Sequence, residues 1–285
     1  MSRSMKYLPC LLLGAVLVAQ TPALEAVLRA ELSFARLVDG KGIRTAFRTW
    51  LVEDARVFTP KPVTAKEQYG PEPGDPGHLA WYPEAMGLAQ SGDLAWSFGP
   101  WTYAVKKGDP VLVQGHFLSI WRRQATGLWR VEADIGVPHG APERPADPFA
   151  LWDAPAVPKP PAVKGPDAAA NLRQKEVTLA AAWKLQGGVA LLPELAREGR
   201  VLRARALPTR SLAEARAALG ADLAGTSWDP GRIQIASSGD LAWTWGEAGP
   251  GDGPSTASYF RIWTLESGLW KVLFDVRLPY PATSK

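Results

Sequence analysis

Cysteine is almost missing from this chain: one residue in 285, Cys10, close to the N-terminus. If the leader described below is removed, the remaining chain has no thiol, which excludes disulfides, thiolate metal sites and a cysteine nucleophile. A lipid anchor on Cys10 would need a longer apolar run before it and a small residue at position 9, where Pro9 stands. Histidine is scarce too, with three residues. There is no Gly-x-Ser-x-Gly elbow, no P-loop, no His-Glu-x-x-His and no clustered set of metal ligands, so neither a metal nor a cofactor is expected. The spaced glycines over 249–254 fall between strands rather than before a helix, and so do not form a phosphate cradle. The net charge is +4, part of it from Arg3 and Lys6 in the leader, too small and too evenly spread for a nucleic-acid partner.

No apolar run reaches the roughly 20 residues that a membrane span needs. The longest, over 8–19, follows Arg3 and Lys6 and gives way to Gln20, Thr21, Pro22 and Ala23. A charged start, a short apolar stretch and a small-residue exit describe a secretory signal peptide over 1–23, cut after Ala19, Gln20 or Ala23. The expected location is periplasmic or extracellular, with no membrane attachment after cleavage.

What is present is a repeat. Residues 91–99 read SGDLAWSFG and residues 238–246 read SGDLAWTWG, identical at seven of nine positions. Trp81 and Pro83 precede the first motif at the distance at which Trp228 and Pro230 precede the second. Downstream, Ile120-Trp121 and Gly127-Leu128-Trp129-Arg130-Val131 are echoed by Ile262-Trp263 and Gly268-Leu269-Trp270-Lys271-Val272. Such an echo marks a duplicated domain. The chain therefore divides into the leader, one domain over 24–140, a proline-rich linker over 141–167 and a second domain over 168–285.

Within the first copy, Leu24, Val27, Leu28, Leu32, Ala35 and Leu37 recur at helical spacing, with Arg29, Glu31 and Arg36 read as the polar side. A second helix follows over 43–52, then a strand over 55–59, a helical turn over 64–69 and a Gly/Pro-rich cover over 70–77. Alternating apolar residues predict a short strand over 86–90 and long antiparallel strands over 94–105, 111–123 and 128–137. The second copy repeats this order, with a weaker second helix up to 196 and an alanine-rich helix over 212–219. The fold class is α+β: two tandem units, each with N-terminal helices laid on one face of a bent antiparallel sheet. Phe260, Leu265, Leu273 and Phe274 make both sheet faces of the second copy apolar, so it is expected to pack against the first or against another subunit as a homodimer.

The element order, the SGDLAW motif, the Gly-x-Trp-Lys/Arg-Val strand and the Asp134/Pro138 and Asp275/Pro279 pairs resemble the nuclear transport factor 2-like (NTF2-like) superfamily. The nearest likeness is to exported DUF4440 or SnoaL-like members of bacteria. The resemblance implies a cone whose mouth holds a small apolar ligand. It spans ketosteroid isomerases, polyketide cyclases, dehydratases and proteins with no known reaction, so fold alone assigns no chemistry. Superfamily enzymes use a cavity carboxylate or histidine as base with a donor opposite, which implies His116, Asp134 and Tyr69 as the catalytic candidates, with Asp54 also weighed. Histidine titrates near neutrality, yet His116 shares its strand face with Leu118 and Ile120, and Ser258 stands at its place in the second copy. Asp54 and its counterpart Glu198 read as caps or as partners of Arg56 and Arg200, and Asp93 and Asp240 as turn-closing residues. Ten of the thirteen tryptophans fall in the two matched strand regions. Most belong to the core, while Trp81, Tyr82, Trp101 and Tyr103, beside His78, are the candidates for a ligand surface at the first copy's mouth. Non-catalytic binding of a small apolar molecule, or scaffolding, is the expected role. The alternative is an isomerase, cyclase or dehydratase acting in the first copy's cavity.

Overall fold

The computed structural model of the chain describes residues 14–71, 76–140, 166–229, 232–251 and 253–281. The start of the leader, the linker over 141–165 and the centres of the 70–77 cover and of the 249–254 turn lie outside the described residues. Among the described residues, no helix is long and apolar enough to cross a membrane.

In the first half, α1 (Gly14–Lys41) and α2 (Ile43–Trp50) lead into β1 (Leu51–Phe58), β2 (Pro62–Thr64) and the single turn α3 (Ala65–Gln68). Then come β3 (His78–Trp81), β4 (Ala85–Leu88) and the meander β5 (Leu94–Ala104), β6 (Val113–Arg123) and β7 (Trp129–His139). Gly42 separates the two helices at φ 79°, a conformation that glycine adopts without steric cost. Thr64 caps α3 by a reciprocal pair of bonds with Glu67. β1 begins at Leu51, straight out of α2, rather than at residue 55 as the sequence pattern suggests.

The second half runs α4 (Pro166–Gln186), a 3₁₀ helix (Gly187–Glu194), β8 (Leu195–Arg203), α5 (Leu212–Gly220), β9 (Thr226–Trp228) and β10 (Arg232–Ile235). Its meander is β11 (Leu241–Pro250), β12 (Ala257–Glu266) and β13 (Leu269–Pro279). Two leading glycines and Pro193 keep the segment after α4 from continuing as an α-helix.

Among the described residues each half has its own sheet, with no strand exchanged. The first runs β2-β1-β7-β6-β5-β3, with β4 also on β5; the second runs β10-β11-β12-β13-β8, with β9 also on β11. All pairs are antiparallel except β1 with β7 and β8 with β13. Both last strands carry a bulge at the same place. Ile120 faces Ala133 but Trp121 faces Val131, leaving Glu132 extra, and likewise Leu273 is extra between the Ile262/Phe274 and Trp263/Val272 pairs. A bulge bends its strand and shifts which residues face which side.

One face of each sheet covers its own helices. The other faces pack together into a shared core: Trp96, Phe98, Leu118, Ile120 and Ile135 from the first half meet Trp243, Phe260, Ile262, Phe274 and Val276 from the second. Trp96 and Phe98 each lie 5.1 Å from Phe274, and Phe58 lies 5.6 Å from Phe260. The repeated motif sits on this seam and bonds to its own copy. Asp93 accepts from the backbone N–H of Ser237 at 3.0 Å and its hydroxyl at 2.5 Å, and Asp240 accepts from the Gln90 N–H at 3.1 Å. The hydroxyls of Ser91 and Ser238 meet at 2.9 Å. Gly92 and Gly239, at φ 67° and 70°, let both turns approach this closely. Asp93 and Asp240 thus do more than close their turns: they join the halves.

Candidate functional site

The helix-facing side of the first sheet does not close completely. Phe34 of α1, Phe47 of α2, Tyr69, Trp81, Trp101 and Phe117 wall a cavity of about 210 Å³, and Asp134 and Gly136 open onto it from β7. The β7 bulge places them there. Trp129 and Val131 join the helix-side core, whereas Ala133, Ile135 and Val137 join the core between the halves, so Asp134 and Gly136 turn inward. Without the bulge, Asp134 would face the other half.

Asp134 accepts a bond from the Ser119 hydroxyl at 2.8 Å, and it pairs with no cation among the described residues. Removal from water drives its carboxyl up to about 7, the Ser119 bond opposes this, and the nearby Glu31 adds to the rise. The accessible part of Asp134 faces the cavity. Burial, and next the charge of Asp134, keep the Tyr69 phenol protonated far above its ordinary range. Its hydroxyl bonds to no described residue. Trp101 likewise has a buried ring N–H without a partner. The cavity therefore offers two donors and one carboxyl in an otherwise aromatic enclosure.

Behind this wall lies a residue that the sequence reading put on the solvent side. Glu31 is fully buried on the stripe formed by Val27, Ala30, Phe34 and Val38. It accepts from the ring N–H of Trp81 at 2.6 Å, the Ser97 hydroxyl at 2.5 Å and the ring N–H of Trp121 at 3.0 Å. Burial raises its pKa against the pull of these three donors. The spacing was visible in the sequence, since 27, 31, 34 and 38 lie on one helix face. The buried donors that make a glutamate tolerable there come from distant strands.

The predicted site residues separate. Tyr69, Asp134, Trp81 and Trp101 meet at the cavity, and Tyr82 and Tyr103 are not among its lining. Tyr103 stacks closely over Gly77 farther along the same strand, where a side chain on residue 77 would strike its ring. His78 bonds to Asp39 at 2.7 Å, and Asp54 is exposed. His116 requires a correction. It alternates with the cavity-facing Phe117 and so points to the opposite side of the sheet, into the seam between the halves. There it stacks on Phe98 at 5.0 Å and shares a 2.6 Å bond with His139. Burial, and then His139, Arg200 and Arg210, push it down to about 3, so it stays neutral. It cannot serve as a base for anything bound near Asp134. Its counterpart Ser258 lies on the same seam and donates to the Pro60 carbonyl at 2.8 Å.

The second half shows what fills the equivalent space. Strand register matches Phe117 to Tyr259, Ser119 to Arg261, Asp134 to Asp275 and Gly136 to Arg277, while Thr59 corresponds to Arg203. Arg261 donates to Asp275 at 2.6 Å and to Glu176, the counterpart of Glu31, at 2.9 Å. Its guanidinium lies 4.5 Å from the Trp228 ring centre and 4.7 Å from that of Tyr259. Arg203 donates to Asp275 and to Asp222, both at 2.7 Å. Burial alone would push the Asp275 carboxyl up, but Arg203 and Arg261 outweigh it and hold it below the usual range. The space left here is about 10 Å³.

No family model matches the chain, and no curated protein matches it. Among solved structures it is similar to an NTF2-like protein of unknown function from Pseudomonas putida KT2440, at 17% identity and a TM-score of 0.34, covering 42% of this chain and 93% of that one. An NTF2-like superfamily protein from Salmonella enterica serovar Typhimurium gives 14% identity and a TM-score of 0.35, covering 43% and 94%. A protein described as a candidate scytalone dehydratase, from Novosphingobium aromaticivorans, gives 14% and 0.34, covering 47% and 96%. The likeness is to NTF2-like proteins, and it is one of fold.

Proposed function

We propose that this chain binds a small molecule in the cavity of its first half, and that the second half is a filled copy that covers and braces the first. The contrast between about 210 Å³ and about 10 Å³ at matched positions supports this reading. An aromatic enclosure with a few polar groups is what small-molecule sites are made of, although this one is smaller than the roughly 300–1,000 Å³ of drug-sized pockets. Gly136→Leu tests it. Residue 136 has room for a Cβ 3.4 Å from Trp101, and it does not sit at a positive φ, so the variant fills the cavity without backbone strain. Ligands that raise the melting temperature of the native protein should fail to do so for the variant; an unchanged response would end the reading.

A second reading is favoured by one observation: Asp134, at about 7, shares an apolar cavity with a protonated Tyr69. A carboxylate poised near neutrality opposite a phenol donor suits proton transfer next to a carbonyl, as in an isomerase or dehydratase. Exchange of the α-protons of a small ketone into D2O, followed by NMR, tests this. Loss in both Asp134→Asn and Tyr69→Phe is expected, and equal exchange by the variants refutes it.

The leader over 1–23 supports export and cleavage, and hence a periplasmic or extracellular site of action. The N-terminus of the protein from its native host should fall between about residues 20 and 24; an intact Met1 in the cytoplasm would refute export.

A further inference from the structure

The two halves differ at the cavity in one consistent way. Both keep a carboxylate on the last strand, Asp134 or Asp275, and a buried glutamate on the first helix, Glu31 or Glu176. Both keep an aromatic pair in front of them, Trp81 with Phe117 or Trp228 with Tyr259. The second half supplies Arg261, Arg203 and Arg277 among these groups, whereas the first has Ser119, Thr59 and Gly136. At these positions the first half therefore lacks positive charge; the nearby cation Arg44 acts on Tyr69, donates to the Gly70 carbonyl at 2.5 Å and does not line the cavity. Thr59 and Gly136, which do line it, stand where the twin has Arg203 and Arg277.

Resting on the reading of this cavity as a binding site, we propose that its ligand is a small organic cation, an amine or guanidine, whose charged end lies against Asp134 between Trp81 and Phe117, as the Arg261 guanidinium lies against Asp275 between Trp228 and Tyr259. Three further features fit this assignment. A buried carboxylate without a partner is costly, and a cation that brings its own donors offsets that cost. Aromatic faces attract a cation most strongly where water is excluded. The second oxygen of Asp134 accepts no bond from a described residue, while its first is held by Ser119. The orphaned Trp101 N–H and the Tyr69 hydroxyl, both donors, suit an acceptor elsewhere on the ligand rather than its charged end.

Calorimetric titration of the full chain with phenethylamine, phenylguanidine, 2-phenylethanol and 3-phenylpropanoate tests this, since the probes share a ring and differ in charge. The two cations should bind at least about tenfold more tightly than the alcohol, and the anion more weakly still. In Asp134→Asn the cations should lose their advantage over the alcohol. Ser119→Arg should place a tethered guanidinium in the site and abolish cation binding; should that variant fail to fold, Asp134→Asn decides alone. Equal affinity for amine and alcohol, or an advantage that survives in Asp134→Asn, overturns the assignment of charge and leaves the binding site standing. No binding by any probe overturns both.

Discussion

Replacing Asp134 by asparagine should stabilise the protein, and only above mildly acidic pH. In the folded chain the carboxyl is held at about 7 against an ordinary 3.8, so between these values the native state keeps a proton that the unfolded chain has released. A group with a raised folded pKa favours folding at low pH, and that contribution disappears as pH rises through the folded value. At about 1.36 kcal/mol per pH unit, the full window corresponds to a penalty of at most about 4 kcal/mol above pH 7. Asparagine carries no proton to lose and can still accept from Ser119. The stability difference between variant and wild type should thus be close to zero near pH 4 and grow to about 2–4 kcal/mol near pH 8. Urea unfolding followed by tryptophan fluorescence at several pH values measures it. Taking the difference between the two proteins cancels most other titrating groups, leaving the coupling to Glu31 behind the cavity wall and to Tyr69 in it. A difference that does not vary with pH, or a variant less stable than wild type at pH 8, would refute the claim that Asp134 is a buried carboxyl without a counter-ion.

Three other outcomes follow from the same structure. Arg261→Ser strips both buried carboxylates of a partner and should cost about 3–5 kcal/mol in thermal or urea unfolding, far more than the loss of a surface ion pair. His116 is held near 3 and so must gain a proton to unfold below about pH 6.5; stability should fall as pH drops through that window, and His116→Asn should shrink the fall in acid unfolding curves. A protease site inserted into the linker over 141–165 should yield two fragments that stay together on gel filtration, because cutting the chain leaves the core between the sheets intact.

The duplication, the fold class and most elements could be read from the sequence because they depend on local pattern: the echo of SGDLAW, the period of α1, the alternation along β5. The cavity depended on something the pattern hides. Along β7, Trp129, Val131, Ala133, Ile135 and Val137 alternate as though they lined one face. The bulge at Glu132 divides them between two, and this sends Asp134 and Gly136 to the cavity. His116 shares the face of Leu118 and Ile120, as the strand alternation requires, but local pattern does not say that this face meets the other half rather than a ligand. Glu31 escapes the pattern for a related reason, since a charge on a helix reads as solvent-facing until the distant groups that satisfy it are known.

A duplicated domain also gives its two copies different constraints. The face of each sheet away from the helices is covered by its twin, joined by reciprocal contacts of Asp93 and Asp240, so neither copy needs its interior to secure that seam. The interiors were free to diverge. One holds Arg261, Arg203 and Arg277, ion-paired with Glu176, Asp275 and Asp222. Such a network stabilises little over an apolar filling, but it breaks expensively. The other kept carboxylates without the cations, an arrangement that costs stability in the empty protein. A persistent cost of that kind at one position, absent from its twin, is expected where a site must remain open for something else to complete it.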